Sequence, residues 1–155
     1  MKKTLLFFIN LVLGFSVTAQ SKHASPTFST AEGAIRGYDP VAYFTDGRPV
    51  RGVAGITFDW NDATWHFASV AHRDSFQLNP EKYAPRYGGY CAYGWSKGYP
   101  APINPAAWTI VDGKLYLNYS ADVQVTWNKK QGSHIQAADR NWAKAHPDTG
   151  IPEKE

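Results

Sequence analysis

Residues 56–67 read ITFDWNDATWHF, which is two short runs of alternating apolar and polar residues around a polar centre. Alternation with a period of two is typical of a strand with one buried face, and Asn, Asp and Thr between two such runs favour a turn. The stretch therefore predicts a β-hairpin. Its alternation directs Trp60, Trp65 and Phe67 into the core and His66 to the opposite face.

A second hairpin is predicted at residues 109–118, where the pair Asp112-Gly113 separates two apolar-rich runs. An Asp-Gly pair suits the tight turn of a two-residue hairpin loop, because both loop positions need a positive φ. Trp108 stands directly before this hairpin, so we expect it to be buried with the aromatic residues of the first one.

Short helices are predicted between and after the hairpins from their capping residues. Asp39 with Pro40 suits the start of a helical turn, and Ser69 suits the cap of a helix that ends before Pro80. Residues 29–32 have the spacing of a capping box, which predicts a further short helix. Two hairpins and several short helices define a small α+β domain, and a chain of 155 residues is long enough for one such domain only.

The N-terminus has the pattern of a secretory signal peptide. Two lysines precede an apolar run over residues 5–17, and Val17 and Ala19 place small residues where a signal peptidase cleaves. We therefore expect residues 1–19 to be removed, so that the mature protein begins at Gln20 in the periplasm or is secreted.

The rest of the chain divides into a leader with a short helix at 20–36, one domain at 37–147 and a tail at 148–155. The N-terminal apolar run is too short to span a bilayer, which takes about 20 residues, and no other stretch is more suitable, so we expect no membrane span.

The composition also argues against nucleic acid as a partner. The 16 Lys and Arg residues, against 13 Asp and Glu, form no basic block, and two of the lysines belong to the expected signal peptide.

Cys91 is the only cysteine, and it lies within residues 87–95, where glycines alternate with large aromatic residues. An exported chain with a single cysteine has no internal disulfide. The thiol has three interpretations: a small buried hydrophobe, a metal ligand or a catalytic nucleophile. An unpaired thiol can also join two copies of the chain covalently as a homodimer. A role as a catalytic nucleophile would need a neighbouring base, and the sequence places none beside it.

Five motifs spread over most of the chain resemble those of the YHS domain family, in its exported bacterial branch. They are GYDPVAYF at 37–44, WHFAS at 65–69, NPEKYAP at 79–85, YGGYCA at 87–92 and LYLNY at 115–119. The resemblance implies a small α+β domain and, for the better-known members of the family, binding of copper or another soft metal ion. It leaves open whether the chain is an enzyme.

The chain departs from the cysteine pattern of the metal-associated members of that family. At the three positions where those domains carry cysteines, this sequence has Ala42, Ala68 and His72. The cysteine cluster of the family therefore has no counterpart here. Of these three positions, only His72 carries a side chain that can bind a metal.

We expect Cys91, His72 and His66 to be the ligands of one metal ion. A thiolate with neutral imidazoles favours Cu(I), with Cu(II) or zinc as alternatives. The predicted function is thus an exported metal-binding protein for copper storage, delivery or detoxification. Two other functions stay open: a metal-free binding module in which the aromatic segment 87–95 forms a pocket, and a copper-dependent redox enzyme.

Overall fold

The computed structural model describes residues 24–147. The expected signal peptide, the start of the leader and the tail at 148–155 lie outside the described residues. Within residues 24–147 the chain forms six α-helices and three two-stranded antiparallel sheets. This confirms the prediction of a small α+β domain built from hairpins and short helices.

Each sheet is one hairpin of two strands that are adjacent in sequence. The strands are β1 (Ser29–Thr30) with β2 (Gly33–Ala34), β3 (Thr57–Trp60) with β4 (Ala63–His66), and β5 (Asn104–Val111) with β6 (Lys114–Asn118). In each pair the last residue of the first strand lies opposite the first residue of the second. Every hairpin is therefore closed by a loop of two residues.

Both predicted hairpins are present in the structure. In the loop between β3 and β4, Asn61 and Asp62 have φ values of 51° and 58°. In the loop between β5 and β6, Asp112 and Gly113 have φ values of 49° and 71°. Asn, Asp and Gly tolerate this left-handed region better than other residues do, which is why loops of this composition close hairpins.

The capping-box spacing at residues 29–32 gives a hairpin and not the expected helix. Residues 29–34 pair as β1 and β2, and a 3₁₀ turn follows at Ile35–Gly37. The hydroxyl oxygen of Thr30 accepts the N–H of Glu32 at 3.2 Å, a local bond that competes with helix formation. Gly33 then takes a φ of +100°, which lies outside the helical region.

The helices within residues 24–147 have between 4 and 15 residues, and the caps expected at Asp39 and Ser69 are present. They are α1 (Ala42–Thr45), α2 (Val70–Leu78), α3 (Pro80–Tyr83), α4 (Ala92–Ser96), α5 (Ala121–Asn128) and α6 (Gln131–Ala145). The Ser69 hydroxyl caps α2, and the Asp39 carboxylate caps α1. None of the helices within residues 24–147 is long and apolar enough to cross a membrane.

The core consists of two clusters of buried residues, and Tyr93 packs against both. Trp65 and Phe67 are buried in the first cluster, as predicted, whereas Trp60 and Trp108 are only half-buried at its edge. Trp60 is the last residue before the β3–β4 loop, and Trp108 follows an irregularity in the β5–β6 pairing. The second cluster contains five buried aromatic residues, Tyr87, Trp95, Tyr116, Trp127 and Trp142.

One glycine allows the N-terminal segment to lie against the rest of the domain. Gly88 has a φ of +61°, and a Cβ added there would lie 1.9 Å from the carbonyl oxygen of Pro26. The carbonyl oxygen of Gly88 accepts the N–H of Phe28 at 2.8 Å. The two backbone segments are therefore in direct contact, with no room for a side chain between them.

We expect Gly88→Ala to lower the free energy of unfolding by about 2 kcal/mol, because a left-handed conformation alone costs roughly 1–2 kcal/mol and the overlap with Pro26 adds strain. Urea denaturation followed by tryptophan fluorescence measures this change. Gly132→Ala is the matched control, since Gly132 lies in α6 with nothing within 4 Å of an added Cβ. The control should be neutral or slightly stabilising. Equal effects of the two substitutions would contradict the prediction.

Candidate functional site

Asp39 is a fully buried carboxylate that backbone N–H groups hold in place. Its Oδ1 atom accepts the N–H of Val41 at 2.8 Å and the N–H of Ala42 at 3.3 Å, which caps α1. Its Oδ2 atom accepts the N–H of Ala68 at 2.8 Å, from the segment between β4 and α2. Asp39 is 0% exposed, so these bonds offset the cost of burying the group and fix its orientation.

His72 lies in the first turn of α2, and its ring reaches the same carboxylate. The Nδ1 atom of His72 is 2.6 Å from Asp39 Oδ2. Because an ionised carboxylate only accepts hydrogen bonds, the ring carries a hydrogen on Nδ1 and donates it to Asp39. In the neutral ring the Nε2 atom then keeps its lone pair, on a side chain that is 19% exposed.

Two oxygen-bearing side chains at the end of α1 lie beside His72 Nε2. The hydroxyl oxygen of Thr45 is 3.3 Å from Nε2, and the Oδ1 atom of Asp46 is 3.9 Å from it. The Thr45 hydroxyl also donates to Asp46 Oδ1 at 2.7 Å. An imidazole nitrogen, a carboxylate and a hydroxyl therefore meet at one exposed point, with a buried carboxylate behind the imidazole.

Cys91 is buried and caps α4 with its sulfur. Its Sγ atom accepts the N–H of Gly94 at 3.4 Å and donates to Asn118 Oδ1 at 3.7 Å. Burial raises the pKa of the Cys91 thiol, and backbone N–H groups near the sulfur oppose that rise only in part. At 2% exposure the sulfur is not presented at the surface, where a disulfide between two chains would have to form.

His66 lies at the end of β4 and packs against two glycines. A Cβ added at Gly33 would lie 2.6 Å from His66 Cδ2, and one added at Gly52 would lie 2.5 Å from His66 Cβ. The ring lines a shallow depression that also includes Thr30 and Asp62. Its packing therefore requires small residues on both sides.

The polar contacts of two of the predicted ligands, His72 and Cys91, involve different residues. Those of His72 are with Asp39, Thr45 and Asp46, whereas those of Cys91 are with Gly94 and Asn118. The part of the chain from 24 to 147 contains no group of three or more His, Cys, Asp or Glu side chains that could hold a metal ion. A metal site shared by Cys91, His72 and His66 stays a prediction.

The aromatic segment at 87–95 faces largely inward. Tyr87 and Trp95 belong to the second core cluster, and the Tyr87 hydroxyl donates to Asp139 Oδ1 at 2.9 Å. Burial, together with the neighbouring Asp139 carboxylate, raises the pKa of Tyr87. These contacts are those of packed core residues.

Sequence reasoning assigned Asp39 a capping role and overlooked its bond to His72. The cap is local, since the accepting carboxylate and the donating N–H groups lie within three residues of each other. The partner in the other bond is 33 residues away, and only the folded chain brings the two together. The Asp46-Gly47 pair is typical of a turn, and nothing in that pattern connects it with His72.

Comparison of the chain with family models, with curated proteins and with solved structures gave no match. Membership of the YHS family accordingly stays a prediction that depends on the motifs in the sequence. The function has to be inferred from the side chains around His72.

Proposed function

We propose that the protein is an exported metal-binding protein that holds a divalent transition-metal ion, copper or zinc, at His72 Nε2. The observation that carries the proposal is the 2.6 Å contact between His72 Nδ1 and Asp39 Oδ2. A carboxylate that accepts the Nδ1 hydrogen fixes the tautomer and the ring orientation, and metal-binding histidines almost always have such a partner. His72 Nε2 is then available as the ligand atom.

Asp46 is the second ligand in this proposal. In a tetrahedral site with bonds of roughly 2.0–2.2 Å, two ligand atoms lie about 3.3–3.5 Å apart. The present separation of 3.9 Å between Asp46 Oδ1 and His72 Nε2 would close through a small movement of a side chain that is 33% exposed. The Thr45 hydroxyl would then bond either the carboxylate or a water on the metal.

The donor atoms favour a divalent ion over Cu(I). Imidazole nitrogen with carboxylate oxygen suits Zn(II) and Cu(II), whereas Cu(I) prefers the softer sulfur of a thiolate. Cu(I) bound at Cys91 would require the thiol to lose its proton, which its raised pKa opposes, and to give up the bond to Asn118.

We expect His72→Ala to weaken zinc or Cu(II) binding by at least about tenfold, because even changes to outer-shell partners cost roughly 10–100-fold in affinity. Isothermal titration calorimetry of untagged protein with zinc chloride or copper(II) sulfate measures the affinity. His134→Ala is the matched control. His134 lies in α6 and packs edge-on against Tyr93, whereas the contacts of His72 are with Asp39, Thr45 and Asp46, so loss of His134 should leave the affinity unchanged.

Cys91→Ser distinguishes this site from the one predicted from the sequence. If His72 carries binding, Cys91→Ser should retain the affinity of the parent protein. Loss of binding in Cys91→Ser, with binding by His72→Ala unchanged, would show that the Cys91 thiol and not His72 is the ligand. If the unsubstituted protein bound neither ion, the proposal would be overturned in favour of a metal-free module.

A further inference from the structure

We infer that one metal ion at this site is shared by two copies of the chain, each of which supplies His72 and Asp46. The inference rests on the proposed function and extends it to a partner. Its starting point is the number of ligands. Over residues 24–147 no third His, Cys, Asp or Glu completes a metal-binding group, whereas zinc in a closed protein site takes four ligands.

The position of the site allows a second copy to approach. Residues 45–48 are all exposed, and they follow directly on the end of α1. A Cβ added at Gly47 would meet nothing within 4 Å, so the space beside Asp46 is open. By contrast, Asp39 is buried behind the ring, which leaves the open side of the metal for ligands from outside the chain.

A two-fold axis through the ion would give a complete and regular site. Each copy would contribute one imidazole nitrogen and one carboxylate oxygen, and the four atoms would surround zinc as a tetrahedron. Interfaces of this kind use the same surface on both copies, which makes twofold symmetry the simplest arrangement. Without the two lysines of the expected signal peptide the formal net charge is +1 (14 Lys and Arg against 13 Asp and Glu), so the two copies would repel each other weakly.

The dependence of assembly on the amount of metal tests this inference. Zinc chloride is added to the purified, metal-free protein, and the mass of the species is followed by sedimentation velocity. The dimer fraction should be largest near half an equivalent of zinc per chain. It should fall again with excess zinc, because each copy then binds its own ion. Removal of zinc with EDTA should restore the monomer.

Asp46→Asn should abolish the zinc-dependent dimer, because an amide replaces the carboxylate ligand while the fold at this exposed position is retained. Asp112→Asn is the matched control. Asp112 is an exposed aspartate in the β5–β6 loop at a φ of 49°, a conformation that asparagine accepts, so this variant should dimerise normally. A dimer that forms equally without zinc, or that survives Asp46→Asn, would overturn the inference.

The possible failures of the two proposals can be told apart. Zinc bound one to one by a protein that stays monomeric at every ratio would overturn the sharing of the ion and leave the metal-binding function in place. Binding of neither zinc nor Cu(II) in calorimetry would overturn both.

Discussion

Replacing Asp39 with alanine is expected to lower the free energy of unfolding by at least about 3 kcal/mol, the largest effect that we predict for a single substitution in the site. The variant leaves the N–H groups of Val41, Ala42 and Ala68 without their acceptor. Each buried donor left unsatisfied costs about 1–3 kcal/mol. His72 also loses the partner that orients its ring.

The stability change is measured by urea denaturation in the absence of metal. Asp59→Asn serves as the control, because Asp59 is an exposed carboxylate whose recorded bond is to the Thr64 hydroxyl. We expect the control to change the free energy of unfolding by less than about 1 kcal/mol. A small effect of Asp39→Ala would mean that the three N–H groups find other acceptors.

Asp39→Asn separates the structural role of this residue from its role in orienting His72. Asparagine keeps the shape and one acceptor oxygen, so the N–H groups that cap α1 can still be satisfied. Its amide nitrogen, at the position of Oδ2, cannot accept the Nδ1 hydrogen of His72 or the N–H of Ala68, so one of the three backbone bonds is lost as well. Zinc affinity should therefore fall by roughly 10–100-fold while the protein remains folded. Unchanged affinity in a folded Asp39→Asn protein would remove the main support for the proposed function.

Replacing Trp65 with alanine is expected to cost about 3–5 kcal/mol, as is usual for a large aromatic side chain in a core. Trp65 is 1% exposed, and its ring centroid lies 5.1 Å from that of Phe76. Its indole N–H donates to the carbonyl oxygen of Trp60 at 3.0 Å. The substitution therefore leaves a cavity and also removes this hydrogen bond.

Leu78→Ala is the control for this prediction, since Leu78 is an apolar residue that is 88% exposed at the end of α2. It should change the free energy of unfolding by no more than about 0.5 kcal/mol. Both variants are compared by urea denaturation. A decrease in the free energy of unfolding below about 1 kcal/mol for Trp65→Ala would show that the ring contributes little to the packing of the core.

The sequence predicts correctly those parts of the fold that depend on interactions between residues close together along the chain. The β3–β4 and β5–β6 hairpins follow from alternation and from loop residues that accept a positive φ. The cap of α2 follows from Ser69. The β1–β2 hairpin was not predicted, because a Ser/Thr-x-x-Glu pattern suits both the start of a helix and a tight turn. The positive φ of Gly33 is compatible with the turn and not with a helix.

The candidate site was predicted less completely, because its geometry depends on contacts between distant segments. The sequence singled out His72, but it paired this residue with Cys91 rather than with Asp39. Burial of a side chain such as that of Cys91 depends on β6 and α4 packing around it, which periodicity does not specify. Likewise, the contact of Asp46 with His72 depends on how α1 lies against α2.

The two-residue loops have a consequence for the order in which this chain acquires structure. All three β-ladders join neighbouring strands, so pairing requires closure of only a very short loop. Hairpins of this kind form within roughly 1–10 μs. The contacts of Pro26 and Phe28 with Gly88, by contrast, must wait until some sixty further residues are available. If the chain is exported as proposed, its N-terminal segment would emerge first and be among the last to find its native neighbours.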